Sequence, residues 1–171
     1  MGLTDIKKEL KKLDKDHLVD VIADLYKKHK AVQEYLDFYT NPDEEELFKK
    51  YKEKVRLAFY PKKEHDLLKL KDGKIAISDF KKMGGSMDLV ADLMLYYVEM
   101  GVVFTNDYGD IDEPFYDSIA GAYRKALQLM EKENILERFK DRATKVVDDT
   151  ANIGWGFHDE LGDTWGEFYG E

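Results

Sequence analysis

Four carboxylates, Asp107, Asp110, Asp112 and Glu113, fall within seven positions of the stretch "TNDYGDIDEPFYDS", residues 105–118. Oxygen-rich clusters of this kind suit hard cations. An EF-hand loop needs ligands at alternating positions, then a glycine, and a glutamate at its twelfth position. Asp110 and Asp112 make one such pair, but Gly109 precedes them and the spacing then fails. A Mg²⁺ or Mn²⁺ site asks only for one or two carboxylates and waters, which leaves that chemistry open. The same residues also read as plain structure. Asp112 or Glu113 can cap a helix opened by Pro114, the acids complement the helix dipole, and Asn106 with Gly109 supplies the turn before it.

The second constellation is the tail "NIGWGFHDELGDTWGEFYGE". His158 with Asp159, and Asp163 one turn on, is the minimum kit for a general base or a mixed nitrogen–oxygen metal site. A histidine between aromatics also serves as a packed, hydrogen-bonded residue. If the two segments meet in the fold, Tyr108, Asp110, Asp112, Glu113, Trp155, His158 and Asp159 would line one ligand-binding site. Tyr108 and Trp155 would form its apolar wall. No catalytic residue, metal ligand set or cofactor is assigned, because the chain has no G-x-S-x-G elbow, H-E-x-x-H helix or G-x-G-x-x-G turn. "GKIAISDF" lacks the spacing of a phosphate loop, and His17, His29 and His65 stand alone.

The elements that would position these residues are helical throughout. "DHLVDVIADLYKKH" sets Leu18, Val21, Ile22 and Leu25 at i, i+3, i+4 and i+7, with Asp16 as N-cap. "NPDEEELFKKYKEKVRLAFY" carries the stripe Leu47, Tyr51, Val55 and Phe59 behind Pro42 and an acidic first turn. "SMDLVADLMLYYVEMGVVF" is the most apolar stretch and predicts a central buried helix started by Ser86. The next two segments put Phe115, Ile119, Ala122, Tyr123, Ala126 and Met130, then Leu136, Phe139, Ala143, Val146 and Thr150, each on one face. Shorter helices are expected over 7–13, 31–39 and 73–83, and residues 61–73 form the longest irregular piece. In the tail, Phe157, Leu161, Trp165 and Phe168 share one face. Gly162 and Gly166, four apart, would permit close helix approach there.

These patterns predict an all-α protein of eight or nine helices, an array or bundle, with a degenerate helical-hairpin solenoid as its specific version. With 171 residues and no Gly/Ser linker, residues 1–171 read as one domain, the C-terminal aromatic helix (about 154–169) docked on the body. The chain has no cysteine, which excludes disulfides and thiolate chemistry and suits the cytoplasm. No apolar run reaches a membrane span. Residues 1–85 hold 20 basic against 17 acidic residues, and 86–171 hold 7 against 19. So acidic a second half argues against nucleic acid as partner, leaving only a lysine-rich start (Lys7, Lys8, Lys11, Lys12) to contact phosphate.

Together, "ISDFKKM" (77–83), "ADLMLYYVEMGVVFTNDYGDIDEPFY" (91–116), "IGWGFHDEL" (153–161) and the amino-terminal "LVDVIADLYKKHKAVQEYLDFYTNPDEE" carry a resemblance over nearly the whole chain. The chain resembles a family of small bacterial proteins known only as a domain of unknown function. The resemblance implies a bacterial, soluble, mainly helical single-domain protein, and brings no activity, cofactor or catalytic residue. The expectation is therefore a non-enzymatic binding or scaffolding module whose partner is another protein. The alternative is an enzyme or metal-dependent small-molecule site where the acidic stretch meets residues 155–159.

Overall fold

The structure, a computed structural model, describes residues 2–62 and 68–170. Among them nine α-helices and one 3-10 turn account for all regular structure, so the all-α expectation holds. The chain divides into two compact units, Met1–Glu44 and Glu45–Glu171.

The first unit holds α1 (Leu3–Leu10), α2 (Lys15–Lys28) and α3 (Lys30–Thr40). Asp5 accepts the Gly2 N–H at 2.9 Å, which starts α1 four residues earlier than expected. The cap of α2 is Asp14 rather than Asp16. Its carboxylate accepts the His17 N–H at 2.9 Å and also lies 2.7 Å from the His17 ring, while Asp16 sits in the first turn. α2 and α3 pack on one another across a one-residue break at His29. Tyr26 Oη donates to Asp37 at 2.8 Å across that contact. No described residue of this unit is buried, and Val21, Ile22 and Leu25 stand exposed where the stripe predicts burial. A helix pair shelters only the side chains on its shared seam, and the α2 stripe is wider than that.

The second unit holds α4 (Glu44–Phe59), α5 (Leu70–Lys82), α6 (Met87–Tyr108), α7 (Glu113–Lys132), the 3-10 turn Leu136–Phe139, α8 (Lys140–Asp148) and α9 (Phe157–Tyr169). Of the stretch expected to be irregular, residues 63–67 lie outside the described residues, His65 among them, and Leu70 already begins α5. The apolar α6 is the central helix: Leu93, Leu95, Tyr97 and Val98 leave no surface exposed. It packs most extensively on α7 and also touches α5 and α8, while α7 touches α9. Close approach of α6 to α7 is set at Gly101, where a Cβ would stand 2.6 Å from Ile119 Cδ1. The tail glycines do not do this work: Gly162 has only Val147 at 3.9 Å, and Gly166 is exposed. α4 is held by its aromatics, Tyr51 against Phe80 at 5.6 Å and Phe59 against Tyr97 at 5.1 Å. Phe157, Leu161, Thr164 and Tyr169 of α9 are buried, and the helix begins at Phe157 because residues 154–156 form a turn.

Candidate functional site

The acidic stretch begins inside a helix. α6 runs on through Asn106 and Asp107 to Tyr108 because nothing before Gly109 breaks it; Gly109, at φ 84°, ends it. Asp112 then caps α7, its carboxylate accepting the Phe115 N–H at 2.9 Å, with Pro114 in the first turn. Asn106 therefore belongs to the helix, not the turn, and its amide donates to the Asp149 carbonyl at 2.9 Å.

Tyr116 is the strut of the turn. Its hydroxyl lies 2.8 Å from the buried Thr105 Oγ1 and 3.3 Å from Asp110 Oδ1, and it accepts the Ile111 N–H at 3.3 Å. Its ring packs on Phe157 with centroids 4.8 Å apart, which ties the turn to the start of α9. Asp110 reaches the tail itself: a Cβ placed on Gly154 would stand 3.8 Å from Asp110 Oδ2. The two sequence segments thus meet at Asp110 and Gly154. Asp107 turns the other way and accepts the Tyr60 hydroxyl at 2.5 Å; burial, then this bond, pushes the Tyr60 phenol well above its ordinary value. Tyr108 packs on Phe104 with ring centroids 4.7 Å apart, yet 66% of its surface is exposed.

His158 is half-buried and bonded to a hydroxyl. Thr150 Oγ1 donates to the Val147 carbonyl at 2.6 Å, so it accepts from His158 Nδ1 at 3.0 Å, and the ring closes the α8–α9 turn. Asp112 is spent on its cap. The remaining candidates, Asp110, Glu113, Trp155 and Asp159, open to solvent with Tyr108, so the arrangement is a rim rather than an enclosed pocket. Among the described residues no three histidine or acidic side chains converge as a metal ion would require.

Trp155 stands apart from the other tryptophan. Trp165 is half-buried, donates to Thr144 Oγ1 at 3.0 Å and packs on Tyr169. Trp155 is 63% exposed and has φ +63°, in the left-handed region that a bulky residue enters at a cost of about 1–3 kcal/mol. Asn134, the other non-glycine residue there among the described residues, suits the region because its short amide is tolerated at a helix end.

A model of the "Family of unknown function (DUF6155)" matches residues 1–169. The chain belongs to that family. No curated protein and no solved structure matches it.

Two features of this DUF6155 chain escape local sequence patterns. Arg142 of α8 holds Glu99 through two nitrogens, at 2.8 and 3.0 Å, and Asp92 at 2.8 Å, clamping α8 to α6. Burial alone would push the guanidinium down; its bonds to Glu99 and Asp92 more than offset this and raise it. The other feature is a pair of lysines, Lys74 and Lys125, that meet from α5 and α7. Partners 43 to 51 residues apart leave no periodic trace, and only the charge pattern on facing helices could have hinted at them. Among the described residues no helix is long and apolar enough to cross a membrane.

Proposed function

We propose that the protein is a non-enzymatic binding module of the bacterial cytoplasm whose partner is another protein: a basic segment with an apolar anchor that docks around Tyr108 and Trp155. The observation that carries this reading is Trp155, a large exposed indole held in a strained backbone conformation next to the point where two acid-rich segments meet. No ring contact or hydrogen bond among the described residues uses the indole, so the fold gains little from it. Tryptophan and tyrosine are the side chains that most often dominate binding at an interface. Asp110, Glu113 and Asp159 on the open rim supply a field that steers a cationic segment. An open rim favours recognition over catalysis, which gains from excluding water around the reacting groups. The compartment rests on a cysteine-free chain, and the bacterial setting on the family resemblance.

A random-peptide display library selected against the full chain tests the reading. Enriched peptides should carry Lys or Arg beside an apolar residue, lose affinity about tenfold on Trp155→Ala, and weaken with added salt. Enrichment of acidic or neutral peptides, or equal binding to W155A, would overturn it.

A further inference from the structure

An opening of about 220 Å³ lies between α5, α6 and α7. Its floor is apolar, made by Ile77, Met94, Ala122 and the ring of the fully buried Tyr97. Its mouth carries two lysines, Lys74 from α5 and Lys125 from α7. Lys74 Nζ donates to Ser118 Oγ at 2.8 Å and lies 5.9 Å from the Tyr97 ring centroid, so the ammonium is aimed along the cavity wall.

Lys74 and Lys125 come from different helices yet line the same opening. Acids outnumber bases 36 to 27, and each of the four arginines is paired: Arg56 with Glu53, Arg124 with Glu167, Arg138 with Asp88, and Arg142 with Asp92 and Glu99. Among the described residues no carboxylate pairs with Lys74 or Lys125. Partial burial at the mouth, then the neighbouring Lys125 charge, holds the Lys74 ammonium below its ordinary value. What distinguishes these two lysines is their place: two like charges beside one apolar hollow, neither held by a carboxylate, offer an anion a site that the chain itself does not fill.

We propose that this cavity binds a small carboxylic acid with a short apolar body, its carboxylate between Lys74 and Lys125 and its tail against Ile77, Met94 and Tyr97. The volume is below the ~300–1,000 Å³ of pockets that enclose drug-sized ligands, which limits the body to roughly six to ten heavy atoms. Lysines, as point charges on flexible stems, suit one carboxylate held at a mouth, and the apolar floor offers nothing to a second charge. Burial of the tail and neutralisation of the lysine pair act together, so acid and tail are both required.

The test is a titration of the full chain, labelled at its methionine methyls, with hexanoate, hexanol and acetate, the Met94 signal being assigned by Met94→Leu. Hexanoate should shift that signal saturably, and hexanol and acetate should each bind at least about tenfold more weakly. Lys125→Gln, at an exposed position, should weaken hexanoate about fivefold or more and leave hexanol unchanged. Ala122→Trp fills the hollow and should abolish the shift; if that variant does not fold, K125Q carries the test alone. Equal binding of hexanol and hexanoate, indifference to K125Q, or no Met94 shift up to about 10 mM hexanoate would each overturn the proposal.

Discussion

The two units of this chain are built from similar helices and stabilised differently. In the first, none of the described residues is buried, and order comes from local devices: the Asp14 cap, the Lys12–Glu9 and Lys28–Asp24 pairs, and the Tyr26–Asp37 bond. Exposed pairs of this kind contribute about 0–1 kcal/mol each. In the second unit, side chains from every helix are buried, and phenol groups are carried into the interior with them: Tyr123 donates to the Ala143 carbonyl at 3.0 Å and Tyr169 to the Leu136 carbonyl at 3.0 Å. Amphipathicity alone therefore does not make a core. A stripe becomes a core only where a third and fourth helix close over it.

The widest break between the units should come in alkali. Burial pushes the Tyr97 and Tyr169 phenols up to about 12, and holds Tyr123 up as well. A phenol raised above its unfolded value of about 10 contributes stability that is complete below pH 10 and lost as pH climbs through about 12. The second unit should thus unfold cooperatively between those limits, with tyrosinate absorbance and loss of helical dichroism rising together. Ionisation of these tyrosines near pH 10 without loss of helicity would show that they are not sequestered as described.

A smaller contrast separates the units by mutation. Leu93→Ala removes a fully buried side chain from α6 and should cost about 3 kcal/mol. Ile22→Ala, at an exposed position of α2, should cost under about 1 kcal/mol. Denaturant titration of the two variants measures both. Similar losses would mean that the α2 face is covered in solution.

The same contrast marks what the sequence could disclose. The stripes of α4 and α7 are legible because helical period and burial coincide at Tyr51, Phe59, Ile119 and Tyr123. The α2 stripe has the same period and no cover, and period says nothing about what lies opposite. The α2 cap, read at Asp16, falls on Asp14 because the backbone chooses between nearby acids, and of the two caps open before Pro114 it takes Asp112 rather than Glu113. The end of α6 is misread at Asn106 because a turn-forming residue stays helical when packing continues and a glycine waits three residues on. Asp110 and Trp155 could be named as site residues, but the approach of Asp110 to Gly154 goes with Tyr116 packing on Phe157, a contact between α7 and α9. The Lys74–Lys125 pair lies further still from any local signal.

The smallest effect carries the opposite sign and falls within the stable unit. Truncating a buried large side chain of that unit should weaken it. At position 155 the side chain is exposed, and the backbone sits at φ +63° with Gly156 at +70° beside it. Glycine enters this region freely, so Trp155→Gly exchanges strain for added unfolded-state entropy and should be neutral to stabilising, by up to about 1 kcal/mol. The same variant should lose the basic peptides that the intact rim selects. Denaturant midpoint and peptide affinity then move in opposite directions, which a residue kept for packing cannot do. A W155G chain that is clearly less stable than the parent would place Trp155 with Trp165, as part of the structure, and remove the observation on which the rim is read as a binding surface.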